Sequence, residues 1–200
     1  MIEQHPNWFH DFHPMHSLIL GSFPPHQSKH AFPFYYPNKQ NRFWKVASLI
    51  AEMPLEVPLT EKEKAVEERK RIMEKLKLGI HDVGLEIKRN NNSSLDSNIT
   101  ILKYQDIRKI VSNHPELKRI VLLGFSAKNS AAHAFMRYLK EENIQAVFPD
   151  DFKIKSEQQF TVRFDNRILD CVILNSTSSA STVSVETLVN QFSKYLKWPD

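Results

Sequence analysis

The sequence is poor in cysteine and glycine and has no long hydrophobic run. Its 200 residues include one cysteine, which excludes intramolecular disulfides and four-cysteine metal sites. That residue, Cys171, lies in an apolar run, so we predict a buried structural thiol. Four glycines leave no glycine-rich phosphate loop. No apolar run approaches the ~20 residues that span a bilayer, and residues 1–6 lack the pattern of a signal peptide. We expect no membrane association and a cytoplasmic protein.

A large excess of charge of one sign is also missing. The chain has 27 basic and 23 acidic residues, a formal net charge of +4. Such a mild basic excess favours association with a polyanion, but many basic proteins never contact nucleic acid. The hydrophobic fraction of 41% is that of an ordinary globular protein. The length predicts a single domain over residues 1–200, with a monomer as the default.

Short apolar runs alternate with helical patterns along the chain. The runs predict buried strands at residues 17–21, 119–124 and 169–174, with a weaker one at 80–87, while residues 145–148 and 160–164 are compatible with an added hairpin. Helices are predicted at residues 41–52, 60–78, 106–112, 126–140 and 183–197, and a loop at 90–94. This alternation favours an α/β fold with a parallel sheet covered on both faces. Ligands of such folds bind beyond the carboxyl ends of the strands, so the loops after residues 21, 83, 124 and 174 should carry the function.

An unusual aromatic segment follows the first of these loops. Seven of the thirteen residues at 32–44, FPFYYPNKQNRFW, are Phe, Tyr, Trp or Arg, which stack well on nucleobases. Phe43 and Trp44 fit the core-facing side of a helix. Tyr35 and Tyr36 lie between prolines and are harder to explain as core residues. The segment therefore indicates a surface that binds an aromatic ligand.

Five segments together resemble the uracil-DNA glycosylase superfamily. They are the LILGSFP loop at 18–24, YY at 35–36 with NRFW at 41–44, SLDSNI at 94–99, VLLG at 121–124 and NSTSSA at 175–180. The chain is most similar to the hypoxanthine-DNA glycosylases, with features of the mismatch-specific uracil and thymine enzymes. The resemblance spans most of the chain and departs from the family pattern at Pro25 and Asn175. It implies a three-layer α/β/α sandwich around a four-stranded parallel sheet.

The resemblance also implies the chemistry, which is hydrolysis of the N-glycosidic bond of a flipped, deaminated base in double- or single-stranded DNA. A water must be positioned, and the base needs hydrogen bonds and a stacking surface. By the family pattern Asn41 is the catalytic, water-orienting residue, although an asparagine at a helix start is also a common N-cap. Tyr36 is the candidate stacking residue, with Phe34 as the alternative. Further candidates for base binding are Gly21, Ser22, Phe23 and Asp82, the last equally compatible with a structural hydrogen bond.

The serine-rich loop is the second half of the expected site. Small hydroxyl side chains and backbone amides before a helix suit phosphate oxygens. We therefore expect contacts with the DNA backbone from Ser28, Asn175, Ser176, Thr177 and Ser178. Lys39, the only lysine of the aromatic segment, has no activating neighbour, so we expect a monofunctional glycosylase without lyase chemistry.

Two rival functions stay open at this stage. One is a non-catalytic member that binds DNA or a nucleotide, with turnover spoiled at Pro25 and Asn175. The other is an unrelated α/β enzyme acting on a small molecule, which the lack of a glycine-rich loop disfavours. His10, His13 and His16 are spaced three apart, but their segment lacks co-ligands beyond Asp11 and the chemistry needs no metal. We therefore predict no metal and no cofactor.

Overall fold

A computed structural model of the chain describes residues 1–90 and 95–198. Most of the loop predicted at residues 90–94 lies outside the described residues. The strands, in chain order, are β1 (Ile2–Gln4), β2 (Ser17–Gly21), β3 (Leu78–Asp82), β4 (Gly84–Arg89), β5 (Ile99–Tyr104), β6 (Arg119–Leu123), β7 (Gln145–Val147), β8 (Gln159–Phe164) and β9 (Arg167–Leu174). The helices are α1 (Phe43–Ala51), α2 (Lys62–Lys75), α3 (Ile107–Asn113), α4 (Ala131–Glu141) and α5 (Val185–Leu196).

The central sheet has six strands in the order β3-β2-β6-β9-β8-β7. The first four are parallel to one another, as expected. The prediction of a four-stranded sheet is nevertheless wrong, because β8 and β7 continue it in antiparallel pairing. A tight turn joins β8 directly to β9, and an antiparallel partner is the only one that such a turn permits. Phe160, Val162 and Phe164 alternate along β8 and are buried, so the added strand extends the core.

Helices cover both faces of this sheet. Ile19, Val121 and Val172 point to one face, where they pack with residues of α1, α2 and α5. Their neighbours along the strands point to the other face, against α3 and α4. A parallel sheet buried in this way explains why its strands are continuous apolar runs. Cys171 lies in the second core and is fully buried, which confirms the prediction of a structural thiol.

A second, three-stranded antiparallel sheet has the order β1-β4-β5. The weak strand predicted at residues 80–87 is in fact two strands, because β3 ends at Asp82 and β4 starts at Gly84 in the other sheet. Pairing with β1 continues to His5, whose backbone N–H donates to Leu85 O at 2.8 Å. The chain start is thereby held beside the carboxyl end of β3. Within the described ranges, no helix has the length and apolar character needed to cross a membrane.

Candidate active site

The carboxyl ends of the parallel strands open into a cavity of about 520 Å³. Its wall is formed by the loops after β2, β6 and β9 and by Asp82, the last residue of β3, together with part of the aromatic segment and residues 95–97. This is the position expected for the ligand of an open α/β sheet. Nearly all the residues predicted to bind a base or the DNA backbone line it, namely Gly21, Ser22, Phe23, Tyr36, Asn41, Asp82, Asn175, Ser176, Thr177 and Ser178.

Two of the predicted residues lie elsewhere. Phe34 has only 2% of its surface exposed and packs against Trp44, with ring centroids 6.0 Å apart, so it belongs to the core. Ser28 lies in a short 3-10 turn, where its hydroxyl contacts the ring of His26 at 2.9 Å. Neither residue is among those that line the cavity.

Gly21 and Asp82 form the floor of the cavity where β2 and β3 end side by side. A Cβ atom at Gly21 would lie 2.2 Å from Asp82 Oδ1 and 3.7 Å from the hydroxyl oxygen of Tyr36. Any larger residue at position 21 would therefore displace the carboxylate. The missing side chain leaves room for this oxygen and the Tyr36 hydroxyl oxygen around one small space.

Tyr36 combines strain, stacking and an unpartnered hydroxyl. Its φ of 51° is in the left-handed region, which is rare for a bulky side chain. The ring stacks on Phe43 at 4.0 Å between centroids and 16° between planes. Burial, with Asp82 and Asp96 nearby, holds the pKa of this hydroxyl well above its usual range, so it stays neutral. The hydroxyl is buried and has no hydrogen-bond partner among the residues that the structure describes. Buried polar groups normally have a partner, so this hydroxyl is a candidate to bind a ligand.

Asn41 lines the cavity immediately before α1. Its side-chain oxygen accepts from the backbone N–H of Phe43 at 2.9 Å and from the hydroxyl of Thr177 at 2.9 Å. Because a backbone N–H can only donate, these contacts identify which end of the amide is the oxygen. Asn41 thus satisfies a free N–H at the helix start, as the N-cap alternative requires, while Arg42 is the N-cap by position. The contact with Thr177 also connects the aromatic segment to the serine-rich loop.

Arg42 organises the serine-rich loop between β9 and α5. Its guanidinium donates to Ser178 O at 2.9 Å, to Ser181 O at 3.1 Å and to Val183 O. Its backbone N–H donates to Thr177 O at 3.0 Å. A planar guanidinium suits this convergence of carbonyl groups. The sequence did not reveal this role of Arg42, although the position of the residue in the aromatic segment was the available signal.

Asn175 opens the same loop and is held by side chains beneath it. Its amide group donates to Ser156 Oγ at 3.0 Å and to Gln191 Oε1 at 3.1 Å. Ser176 Oγ accepts from the N–H of Ser178 at 3.2 Å, which tightens the turn. Gly124, which follows β6 and has a φ of 97°, packs against this loop, because a Cβ atom at Gly124 would lie 3.5 Å from Ser176 Cβ. The loop is therefore preorganised by its own contacts.

Asp96 is a cavity residue whose individual role the sequence did not reveal. It accepts a hydrogen bond of 2.5 Å from the hydroxyl of Ser22. Burial, together with the nearby Asp82, raises its pKa to about 6, although Ser22 and Arg89 act in the opposite direction. The motif SLDSNI contained the residue, but only the fold brings it to Ser22, 74 positions away.

His5 was also missed, and it contacts Asp82 from behind. Its Nε2 lies 2.9 Å from Asp82 Oδ2 and its Nδ1 lies 2.6 Å from Pro6 O. The neighbouring ring of His81 is at 5.0 Å between centroids, and its Nδ1 lies 2.9 Å from the Tyr35 hydroxyl. Burial, together with the nearby His5, lowers the pKa of His81 to about 3. Nothing in the spacing of the histidines could have signalled this pairing.

One group of potential metal ligands lies away from the cavity. Ligand atoms of Asp11, His13 and His114 lie within 4.8 Å of one another. These residues precede β2 and β6, at the amino ends of the parallel strands, whereas the cavity opens at the carboxyl ends. The contact between His114 Nε2 and Asp11 Oδ1, at 2.9 Å, already accounts for part of the cluster as an ion pair.

The whole fold is shared with a solved structure. The solution NMR structure of a proposed uracil DNA glycosylase from Methanosarcina acetivorans matches with a TM-score of 0.61 and 20% sequence identity, over 98% of this chain and 99% of that one. The likeness establishes a common α/β fold with a parallel-rich central sheet and flanking helices. The sequence matches no protein-family model and no curated protein.

Proposed function

We propose that this chain is a monofunctional DNA glycosylase that removes a deaminated base, hypoxanthine or uracil, and leaves an abasic site. The observation that carries the proposal is the cavity, which joins Asn41, Tyr36, Asp82 and the serine-rich loop at the carboxyl edge of the sheet. The fold shared with a proposed uracil DNA glycosylase supports it. A base inside the DNA stack is out of reach of such a cavity, so the nucleotide must be flipped out.

The polar groups of the cavity fit the edge of a deaminated base. Hypoxanthine and uracil each present a ring N–H beside a carbonyl group. The carboxylate of Asp82 can accept from the N–H, and the unpartnered hydroxyl of Tyr36 can donate to the carbonyl. Adenine and cytosine present a ring nitrogen without hydrogen at this place, which would face the carboxylate unfavourably. The Tyr36 ring, which stacks on Phe43 and lines the cavity, is the proposed stacking surface for the base.

Asn41 and Thr177 are proposed to hold the attacking water. One lone pair of the Asn41 oxygen is fixed by the N–H of Phe43, and the other accepts from the rotatable hydroxyl of Thr177. A water that turns this hydroxyl aside gains a bond to the amide oxygen and a second bond to Thr177. The oxygen of this water then attacks C1′ of the sugar. The C1′–N bond breaks, and the electron pair of that bond passes to the base. The water proton goes to the departing base.

The serine-rich loop is proposed to bind the DNA backbone. Ser176, Thr177 and Ser178 line the cavity, and Arg42 fixes their backbone from behind. Hydroxyl and amide groups held in this way are suited to phosphate oxygens. No lysine is among the described residues that line the cavity, and Lys39 is exposed outside it, which supports a monofunctional enzyme rather than a lyase.

Oligonucleotide cleavage tests the proposal. Duplexes carrying deoxyinosine or deoxyuridine opposite each normal base are incubated with the protein, and abasic sites are then cleaved with alkali. We expect strand scission by the wild type and a loss of about 100-fold or more in Asn41→Ala. Asn113→Ala, at an exposed asparagine ending α3, is the matched control and should keep full activity.

The other outcomes identify the rival functions. Binding of duplexes without any scission would contradict an enzyme and leave a member that binds DNA without turnover. Neither binding nor scission on any duplex or single strand would leave an α/β enzyme with a small-molecule substrate.

A further inference from the structure

The contacts of His5 require more protons than a neutral histidine carries. The side chain is 1% exposed, and both ring nitrogens face oxygen atoms, Nδ1 towards Pro6 O at 2.6 Å and Nε2 towards Asp82 Oδ2 at 2.9 Å. A carbonyl oxygen only accepts hydrogen bonds, and so does an ionised carboxylate. A neutral imidazole has a single N–H. The pair of His5 and Asp82 therefore holds one proton beyond the neutral ring and the free carboxylate.

The surroundings place this proton on the histidine as long as the cavity holds no anion. An imidazolium ring donates from both nitrogens, to Pro6 O and to the Asp82 carboxylate, and so satisfies both contacts, the second as a charge-assisted pair. The other groups around the ring are aromatic, with Trp8, Phe23 and Tyr35 each within 6.2 Å between centroids. His81, the remaining titratable neighbour, is neutral because burial lowers its pKa to about 3.

The wider surroundings of Asp82 add negative rather than positive charge. Asp96 lies close enough to Asp82 that the negative charge of Asp82 raises the pKa of Asp96. Arg89, which acts on Asp96, is already bonded to Glu3 Oε1 at 2.8 Å and to Pro24 O at 2.8 Å. Tyr36 is neutral. His5 is thus the cation placed directly against the carboxylate that faces the base.

We propose that His5 stores a proton for Asp82 and transfers it when the base departs, so that the cavity does not repel an anionic leaving group. The inference rests on the proposed function. Breaking the glycosidic bond puts negative charge on the base, opposite the carboxylate of Asp82. The Nε2 proton of His5 then moves to Asp82 Oδ2, which gives a neutral ring and a neutral carboxylic acid, while Oδ1 keeps its bond to the base N–H. After the base leaves, the proton returns to His5. His5 acts through Asp82 and is a positioning residue.

His5→Gln separates proton storage from simple support. A glutamine amide can still donate to Asp82 but cannot give up a proton. We expect kcat to fall by about 100-fold with little change in KM, and the decline in rate on the alkaline side of the pH profile to disappear. His10→Gln is the matched control, because His10 contacts a carboxylate, Glu74, at 2.8 Å outside the cavity. Thermal melting of each variant checks that the fold is retained.

Nitrogen NMR of the histidine rings tests the stored proton without using activity. We expect His5, assigned by comparison with His5→Gln, to carry hydrogen on both ring nitrogens near neutral pH in the free protein. A neutral ring with one unprotonated nitrogen overturns the proposal, and so does a His5→Gln variant with the wild-type rate and pH profile. Absence of excision by the wild type instead contradicts the proposed function, and the NMR result still decides where the proton resides.

Discussion

The buried carboxyl of Asp96 makes the stability of the fold depend on pH. Its pKa is about 6 in the folded protein and 3.8 ordinarily, so its stabilising contribution is complete below about pH 3.8 and is lost as the pH rises through 6. The difference amounts to about 3 kcal/mol at most. Asp96→Asn stays neutral and should raise the free energy of unfolding in urea by up to that amount at about pH 8, with little effect at about pH 4. Asp150→Asn, at an exposed position, is the control. Equal gains at both pH values would contradict this account.

Replacement by phenylalanine should have opposite effects on the stability of the protein at Tyr36 and at Tyr35. The Tyr36 hydroxyl is buried without a partner, and such a group costs about 1–3 kcal/mol. Tyr36→Phe should therefore stabilise the free protein while weakening discrimination between hypoxanthine and adenine. Tyr35→Phe is the matched control, since it removes a bond to His81 at 2.9 Å and should lower the melting temperature. A Tyr36→Phe protein that is less stable than the wild type would show that the hydroxyl already has a partner.

At the scale of elements, Arg42 and Arg167 each hold a loop through hydrogen bonds to its backbone carbonyl groups. The two loops lie at opposite ends of the parallel strands. Arg42 bonds carbonyl groups of the serine-rich loop, and Arg167 bonds those of Val111, His114, Pro115 and Leu117. A lysine cannot replace the planar fork, so Arg42→Lys and Arg167→Lys should each destabilise the fold by roughly 2 kcal/mol. Only Arg42→Lys should also raise KM for damaged duplexes. Equal KM values in the two variants would separate the loop from DNA binding.

The sequence predicted β2, β6 and β9 because each contains a continuous run of mostly apolar residues, whereas the signal at residues 80–87 was weaker. It could not show that residues 78–89 divide between two sheets at Val83, since apolar residues continue from one strand into the next and the change of partner is a tertiary event. The residues of the site also fall into two groups, those that the sequence signals and those that only the fold brings into place. Gly21, Tyr36, Asn41 and the serine-rich loop lie in recognisable segments, whereas His5 acquires its role only when β1 pairs with β4. Phe34 was an alternative to Tyr36 because local sequence does not decide which aromatic ring of a loop packs into the core and which one lines the cavity.

At the scale of the whole molecule, the proposed affinity for DNA and the proposed recognition of the damaged base should depend on different forces. The net charge is only +4, and no lysine or arginine is among the described residues lining the cavity. General attraction to the duplex must therefore come from basic residues outside the cavity, and it weakens as salt displaces counterions. The base, in contrast, is proposed to be recognised by neutral and paired groups that are shielded from solvent, where screening is weak.

Raising the salt from about 50 to 200 mM should thus weaken binding to plain and deoxyinosine-containing duplexes in parallel and leave the ratio of the two Kd values nearly constant. Fluorescence anisotropy with the Asn41→Ala variant measures both constants, since this substitution should keep the damaged strand intact during the titration. Asp82→Ala in the same background is the control, and it should bring the ratio close to one at every salt concentration because the acceptor for the base N–H is lost. A ratio that falls steeply with salt would mean that surface charge, rather than the cavity, distinguishes damaged from normal DNA.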